Sequence, residues 1–181
     1  MTVKSRLRNK LLRIAVEANK TFTPFFSPRI STKIMIRLYR KMGIRFVGCP
    51  NYISARVNFD GTNYSLIEIH DGVTISSYVR ILTHDWSLYT ISKAHGYFSE
   101  NPIGRISGVI FGENSFIGTG CIVMPGTVIG KGCLIGAGTV VRGTIPDYSI
   151  VIGSPGVIVG NTADFVKRQF KRLNLEVPRQ R

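Results

Sequence analysis

The sequence predicts a mainly β protein in which short parallel strands wind into a coil, and three observations carry that expectation. From Phe111 the chain divides into sixes, FGENSF, IGTGCI, VMPGTV, IGKGCL, IGAGTV and VRGTIP, headed by Phe111, Ile117, Val123, Ile129, Ile135 and Val141. Glycine fills the second position at Gly112, Gly118, Gly130 and Gly136. The fifth position is small, at Ser115, Cys121, Thr127, Cys133 and Thr139. Upstream, Ile69, Ile75 and Ile81 keep the same register with Val73 and Val79 fifth, so nine repeats obey one rule. A fixed period of this kind takes precedence over other fold signals.

Each repeat then makes one short strand and one bend. The first position points into the core and stacks on the same position of the next coil. The fifth faces the same narrow interior, where only a small side chain fits. Glycine at the second position suits a bend with an unusual backbone angle. A coil buries its apolar face only against its neighbours, so several coils are required. The pattern does not give the hand, and the general rule for parallel crossovers is right-handed.

The repeat body is flanked and interrupted. Residues 1–48 form a basic N-terminal segment, 49–160 the coil, and 161–181 a basic C-terminal helix and tail. Helices are expected over 1–20 and 31–42, with Leu7, Leu11, Leu12, Ile14 and Ala15 forming a stripe beside Arg6, Lys10 and Arg13, and with Pro24 and Pro28 dividing the two. Residues 162–173 predict a short helix capped by Thr162. Residues 85–107, polar and aromatic with Gly96 and Pro102, break the repeat and should protrude as a loop. Long loops on rigid scaffolds usually carry function.

Charge is unevenly placed. The chain has 181 residues and a net charge of +14. Residues 1–45 hold twelve Lys/Arg and one acid, Glu17, which leaves +11; 161–181 carry +4; the body, 46–160, is −1. Basic ends suit nucleic acid, an anionic membrane or a phosphorylated ligand. Nucleic acid is disfavoured, because no zinc-finger spacing, RNP-like strand or basic heptad coil is found. Cys49, Cys121 and Cys133 include no C-x-x-C pair, which predicts reduced thiols rather than disulfides or a metal site. Lys4 to Lys20 is too charged for a signal peptide and no apolar run spans a bilayer, so a cytoplasmic protein is expected. The basic N-terminus either caps the first coil or rests on anionic lipid at the inner face of the membrane.

The run VIFGENSFIGTGCIVMPGTVIGKGCLIGAGTVVRGTIPDYSIVIGSPG resembles the hexapeptide-repeat acyltransferases, over roughly residues 50–160. Within that family it is similar to the sugar and polysaccharide O-acetyltransferases that act on capsule, colanic acid or lipopolysaccharide. The resemblance implies a left-handed β-helix, overriding the right-handed default. It also implies a homotrimer and acetyl-CoA as donor, bound in grooves between neighbouring coils. The acceptor it implies is a saccharide hydroxyl, on a free or lipid-linked glycan.

His84, in ILTHDWSL, stands where a coil ends and the loop begins, which matches the family's catalytic base. A hydroxyl attacking a thioester must lose its proton, and histidine suits that task near neutral pH. A surface histidine beside a loop is the plainer reading. His70 is expected at a solvent-facing bend, and His95 in the loop within reach of an acceptor. A base gains from a group that fixes its tautomer. Asp85 is adjacent, but neighbouring residues often point apart. Asn58, Asp60, Asp85 and Trp86 are the acceptor-side candidates. Turn chemistry competes for Asn58 and Asp60, and packing at the loop root competes for Trp86. By resemblance, Gly118, Thr119, Gly136 and Ala137 would meet the pantetheine arm, and Lys131 or Arg142 a phosphate. Ser154 and Pro155 would lie near the adenine. Gly156-Val157 replaces the family's Ala-Lys/Arg there, removing a phosphate contact that Lys167 or Arg168 could replace. Transfer is expected to be direct, without an acyl-enzyme and without a metal.

Three other readings compete. An N-acetyltransferase of a nucleotide sugar, or of serine type, keeps the class; serine acetyltransferases normally carry a larger helical N-terminal domain than 48 residues allow. A γ-class carbonic anhydrase needs three clustered histidines, and His70, His84 and His95 lack that family's spacing. A scaffold without activity would bind no CoA species.

Overall fold

The computed structural model of the protein describes residues 3–22, 27–60 and 63–176. Pro24, the side chains of Arg6 and Leu7, and the last five residues of the C-terminal tail lie outside the described residues.

Two helices open the chain, α1 (Val3–Phe22) and α2 (Pro28–Met42). The Ser27 side chain accepts from the Ile30 backbone N–H and caps α2, and Gly43 ends it at a φ of 121°. The helix starts three residues earlier than the sequence suggested, because Pro28 sits inside its first turn, where a missing N–H costs nothing. Asn19 of α1 donates to Ser31 of α2 at 3.3 Å. Val16, Met35, Ile36 and Tyr39 are buried against the first coil, and the Thr32 hydroxyl meets both the N–H and C=O of Ile53 at 3.4 Å.

The coil has three faces. The first stacks β1 (Arg45–Val47), β4 (Ile67–His70), β9 (Val109–Phe111), β12 (Val128–Ile129) and β15 (Thr144–Ile145). The second stacks β2 (Tyr52–Ile53), β5 (Thr74–Ile75), β10 (Phe116–Ile117), β13 (Leu134–Ile135) and β16 (Ser149–Ile152). The third stacks β3 (Asn58–Phe59), β6 (Arg80–Ile81), β11 (Ile122–Val123) and β14 (Val140–Val141). Every pairing among these strands is parallel, and first position stacks on first position: Ile75, Ile117, Ile135 and Val151 form one such column. All four are at 0% exposure, and burying each contributes about 1.5–3 kcal/mol. Cys121 and Cys133 occupy the fifth-position interior as expected, at 0% and 1% exposure; their Sγ–H groups donate to the Gly136 and Pro146 carbonyls. Burial pushes both thiols up from the ordinary cysteine range.

One part of the repeat rule needs correction. The bend demands positive φ at the fourth position, not the second: Gly72, Tyr78, Asn114, Gly120 and Gly138 all adopt it. The second-position glycines serve stacking. A Cβ on Gly118 would lie 2.5 Å from the Ala137 amide nitrogen and 2.8 Å from the Ile135 carbonyl oxygen.

After β16 the chain turns back as β17 (Val157–Asn161), antiparallel to it. Then follows α4 (Thr162–Arg172), which is capped by Asn161, whose side chain accepts from the Ala163 N–H at 2.7 Å. Thr162, expected as the cap, instead donates its hydroxyl to the Gly132 carbonyl at 2.9 Å and pins the helix to the coil.

The 85–107 segment is more ordered than a loop. His84–Asp85 (β7) pairs antiparallel with Arg105–Ile106 (β8), and the helix α3 (Ser87–Ala94) stands between them. The tip is solvent-facing and apolar, with Tyr97 and Phe98 exposed.

Candidate active site

The edge where the third face turns into the first gathers most of the chemistry. Backbone bonds from Asp60 to Ile81, Leu82 to Val123 and Met124 to Val141 stack Asp60, Leu82, Met124 and Arg142 in one column. Thr83 and His84 leave that column where the β7–β8 ribbon begins.

Asp60 turns inward to this ribbon. Its Oδ2 accepts from the Thr83 backbone N–H, from the Thr83 hydroxyl at 2.6 Å and from His84 Nδ1 at 3.0 Å. The carboxylate is 5% exposed and the imidazole 29% exposed. A carboxylate only accepts, so Nδ1 carries the proton and Nε2 is the basic nitrogen of the neutral ring. Asp60, read from sequence as an acceptor-side residue, is thus the group that orients the histidine.

Asp85 does not share that task. Its Oδ1 accepts from the Ser87 N–H at 2.9 Å and starts α3. That bond, more than the nearby Arg142 guanidinium, holds its carboxyl below the usual range. Trp86 lies over Gly104, so that a Cβ there would collide with the indole, and its ring centroid is 6.0 Å from that of His84. It fastens the ribbon beside His84. Asn58 points out from the third face. Arg105, which sequence reasoning passed over, lays its guanidinium on the Gly126 turn at this same edge. Its signal was its place at the return of the broken repeat.

A cleft of about 320 Å³ lies between α1, α2 and the first coil, with Glu17, Lys20, Tyr39, Asn58, Asp60 and Tyr64 in its wall. It opens on the Asp60 side and does not include His84. Burial raises Tyr39 and Tyr64 above the ordinary phenol range.

The other candidates divide between two further edges. Gly118, Thr119, Gly136, Ala137, Ser154 and Pro155 share the edge between the second and third faces. The Gly118 and Gly136 amides already bond the Ile135 and Val151 carbonyls at 2.8 Å, and the Thr119 carbonyl accepts from Gly138. What this edge offers a ligand is the exposed surface of Thr119 and Ala137. The Ser154–Pro155 turn, which contains a cis peptide bond, is braced on Val140 through Gly153 and Gly156. Lys131 lies on the edge between the first and second faces. There its Nζ stands 5.8 Å from the Tyr148 ring, whose hydroxyl keeps the ammonium above its usual range. Lys131 and Arg142 therefore do not converge within one copy of the chain. His70 ends β4 rather than lying at a bend; on the outward face of that strand it is partly exposed and pairs with Glu68 at 2.6 Å. His95 is exposed at the end of α3. No group of three or more His, Cys, Asp or Glu able to hold a metal occurs among the described residues.

Residues 108–143 match the family model of the bacterial transferase hexapeptide (six repeats). Protein CapG of Staphylococcus aureus is 38% identical over 116 residues, which are 64% of this chain and 64% of that protein. Among solved structures, the fold is shared with galactoside acetyltransferase in complex with coenzyme A. That match has a TM-score of 0.61 and 19% identity, covering 92% of this chain and 86% of the other. It is also shared with a maltose O-acetyltransferase from Clostridium difficile 630 at a TM-score of 0.50 and 22% identity, covering 84% and 88%. The coil has the left-handed β-helix fold, and its residues 108–143 are the part that matches the hexapeptide model.

Proposed function

We propose that the chain is an acetyl-CoA-dependent O-acetyltransferase acting on a saccharide hydroxyl, with His84 as general base. The observation that carries this reading is the His84–Asp60 pair at 3.0 Å, set where the helical coil opens into the β7–β8 ribbon. It is supported by the shared fold with acetyltransferases of maltose and galactoside, one of them holding coenzyme A.

In this reading the acceptor hydroxyl gives its proton to His84 Nε2 as its oxygen attacks the thioester carbonyl. Asp60 stabilises the imidazolium that forms. Collapse of the tetrahedral intermediate expels the CoA sulfur, which takes the proton back from Nε2. No acyl-enzyme is needed, and the buried Cys121 and Cys133 are unsuited to form one. Thr119, Ala137 and the Ser154–Pro155 turn would contact the donor, with Arg142 near a phosphate. Trp86 and Arg105 would flank the acceptor. Because the donor edge and the His84 edge are separated by the width of the third face, the complete site is assembled between copies in a trimer. The donor places the reaction in the cytoplasm, on a free or lipid-linked glycan precursor.

With acetyl-CoA and a panel of saccharides, thiol release should depend on acceptor. His84→Ala should lower kcat about 10²–10⁴-fold, the usual contribution of a positioned base. Acceptor-dependent turnover that survives this substitution unchanged sinks the reading.

A further inference from the structure

We infer that α1 and α2 form a docking surface for a bilayer rich in anionic phospholipid. This goes beyond acetyl transfer and does not depend on it.

Helix α2 carries Arg29, Lys33, Arg37 and Lys41 at four-residue spacing, all exposed, and has no acidic residue. Like charges four apart repel along a helix. Nothing among the described contacts pairs them: the salt bridges lie elsewhere, at Glu17, Glu68 and Asp60. The row borders two shallow grooves against Gly48, Cys49 and Pro50, of about 460 and 370 Å³. A folded protein that keeps four unpaired cations in line presents them to an anionic surface.

Helix α1 adds the second feature. Val16 and Asn19 face the interior. On another side Leu11 and Ile14 are 60% and 59% exposed, followed one turn on by exposed Ala18. Ile30, at the start of α2, is 49% exposed and sits beside the cation row. The helices pack side by side through Asn19 and Ser31, and each turns its own feature to solvent, α1 an apolar ridge and α2 a basic stripe. That pairing of features is what an interfacial helix shows. No described helix is long and apolar enough to cross a membrane, so the fit is to a surface.

Charge selects the occupant. The first 45 residues carry +11, against +4 for residues 161–181 and −1 for the coil body, so most of the basicity lies at this end. A second copy docking by this face would bring like charge against like charge. A nucleic acid would meet the cations but leave Leu11 and Ile14 without a role. Anionic lipid satisfies both, its headgroups meeting the α2 row and its acyl boundary the α1 ridge.

The test is co-sedimentation of the full chain with phosphatidylcholine vesicles containing phosphatidylglycerol or none, at low and high salt. Binding is expected to require phosphatidylglycerol and to fall as salt rises. Lys33→Gln with Arg37→Gln should weaken it about 30-fold, two surface cations being removed. Leu11→Ser with Ile14→Ser should weaken it about tenfold or more. Circular dichroism checks that each variant remains folded. No binding to the anionic vesicles, equal binding to neutral ones, or variants that bind as the parent does would each overturn the proposal. Retained binding to short RNA, with none to vesicles, would assign the row to nucleic acid and also overturn it.

Discussion

At the residue scale, one carboxylate oxygen does three things. Asp60 Oδ2 holds the Thr83 backbone, the Thr83 hydroxyl and His84 Nδ1. The first two bonds fix where the ribbon leaves the coil, and the third fixes the ring that leaves with it. Asp60→Asn can place a neutral oxygen in the same position, so the geometry of Thr83 should survive. It cannot stabilise an imidazolium as an anion does. The expected outcome is a fall in kcat of about 10²-fold, at the lower end for loss of acid–base support, with little change in KM or in the circular dichroism spectrum. A kcat within about twofold of the parent would remove Asp60 from the mechanism, since one pK unit of lost stabilisation is already tenfold. The histidine was legible in sequence and its partner was not. Asp60 lies 24 residues upstream, before the readable repeat begins at Ile69. The sequence from 60 to 66 does not follow the six-residue rule and so hides the register that sets Phe59 beside Ile81.

At the element scale, the six-residue rule gave strands, core positions and the interior cysteines, because each is fixed by contacts between identical positions in successive coils. It misassigned the second-position glycine, because a missing side chain looks the same whether the backbone needs a special angle or simply needs room. Two substitutions separate these causes. Gly118→Ala puts a Cβ 2.5 Å from the Ala137 nitrogen, a backbone atom that cannot swing aside. Overpacking of that kind costs about 1–3 kcal/mol. Gly120→Ala meets nothing within 4 Å and suffers only its φ of 73°, about 1 kcal/mol. Gly120→Asn should be milder still, since Asn114 holds the same fourth position at a φ of 54°. Thermal denaturation should rank them Gly118→Ala lowest, then Gly120→Ala, then Gly120→Asn. The reverse order for the two alanine variants would mean the coils can part without cost. The helix α3 was missed for another reason: eight residues carry too little periodicity to stand out from a loop.

At the scale of the whole molecule, the coil leaves one face uncovered. Phe116 and Ile152 on the second face are 44% and 46% exposed, and the neighbouring β17 run Val157, Ile158, Val159 is 53–55% exposed. A contiguous apolar surface of this kind on a folded chain marks an interface. The function proposed above asks for the same thing, because the edge carrying Thr119 and Ala137 and the edge carrying His84 do not meet within one copy. Neither fact was visible in the repeat, which specifies what points inward and is silent on what the outward residues touch. Sedimentation should therefore give a mass three times that of the 20.1 kDa chain. Phe116→Asp with Ile158→Asp should yield monomers whose coil is intact by circular dichroism and whose acetyl transfer is lost, even though His84 and Asp60 are untouched. A monomeric parent that remains active at micromolar concentration would show instead that one coil holds the whole site, and the donor would then have to cross the third face, over the stacked row of Asn58, Arg80, Ile122 and Val140, to reach His84.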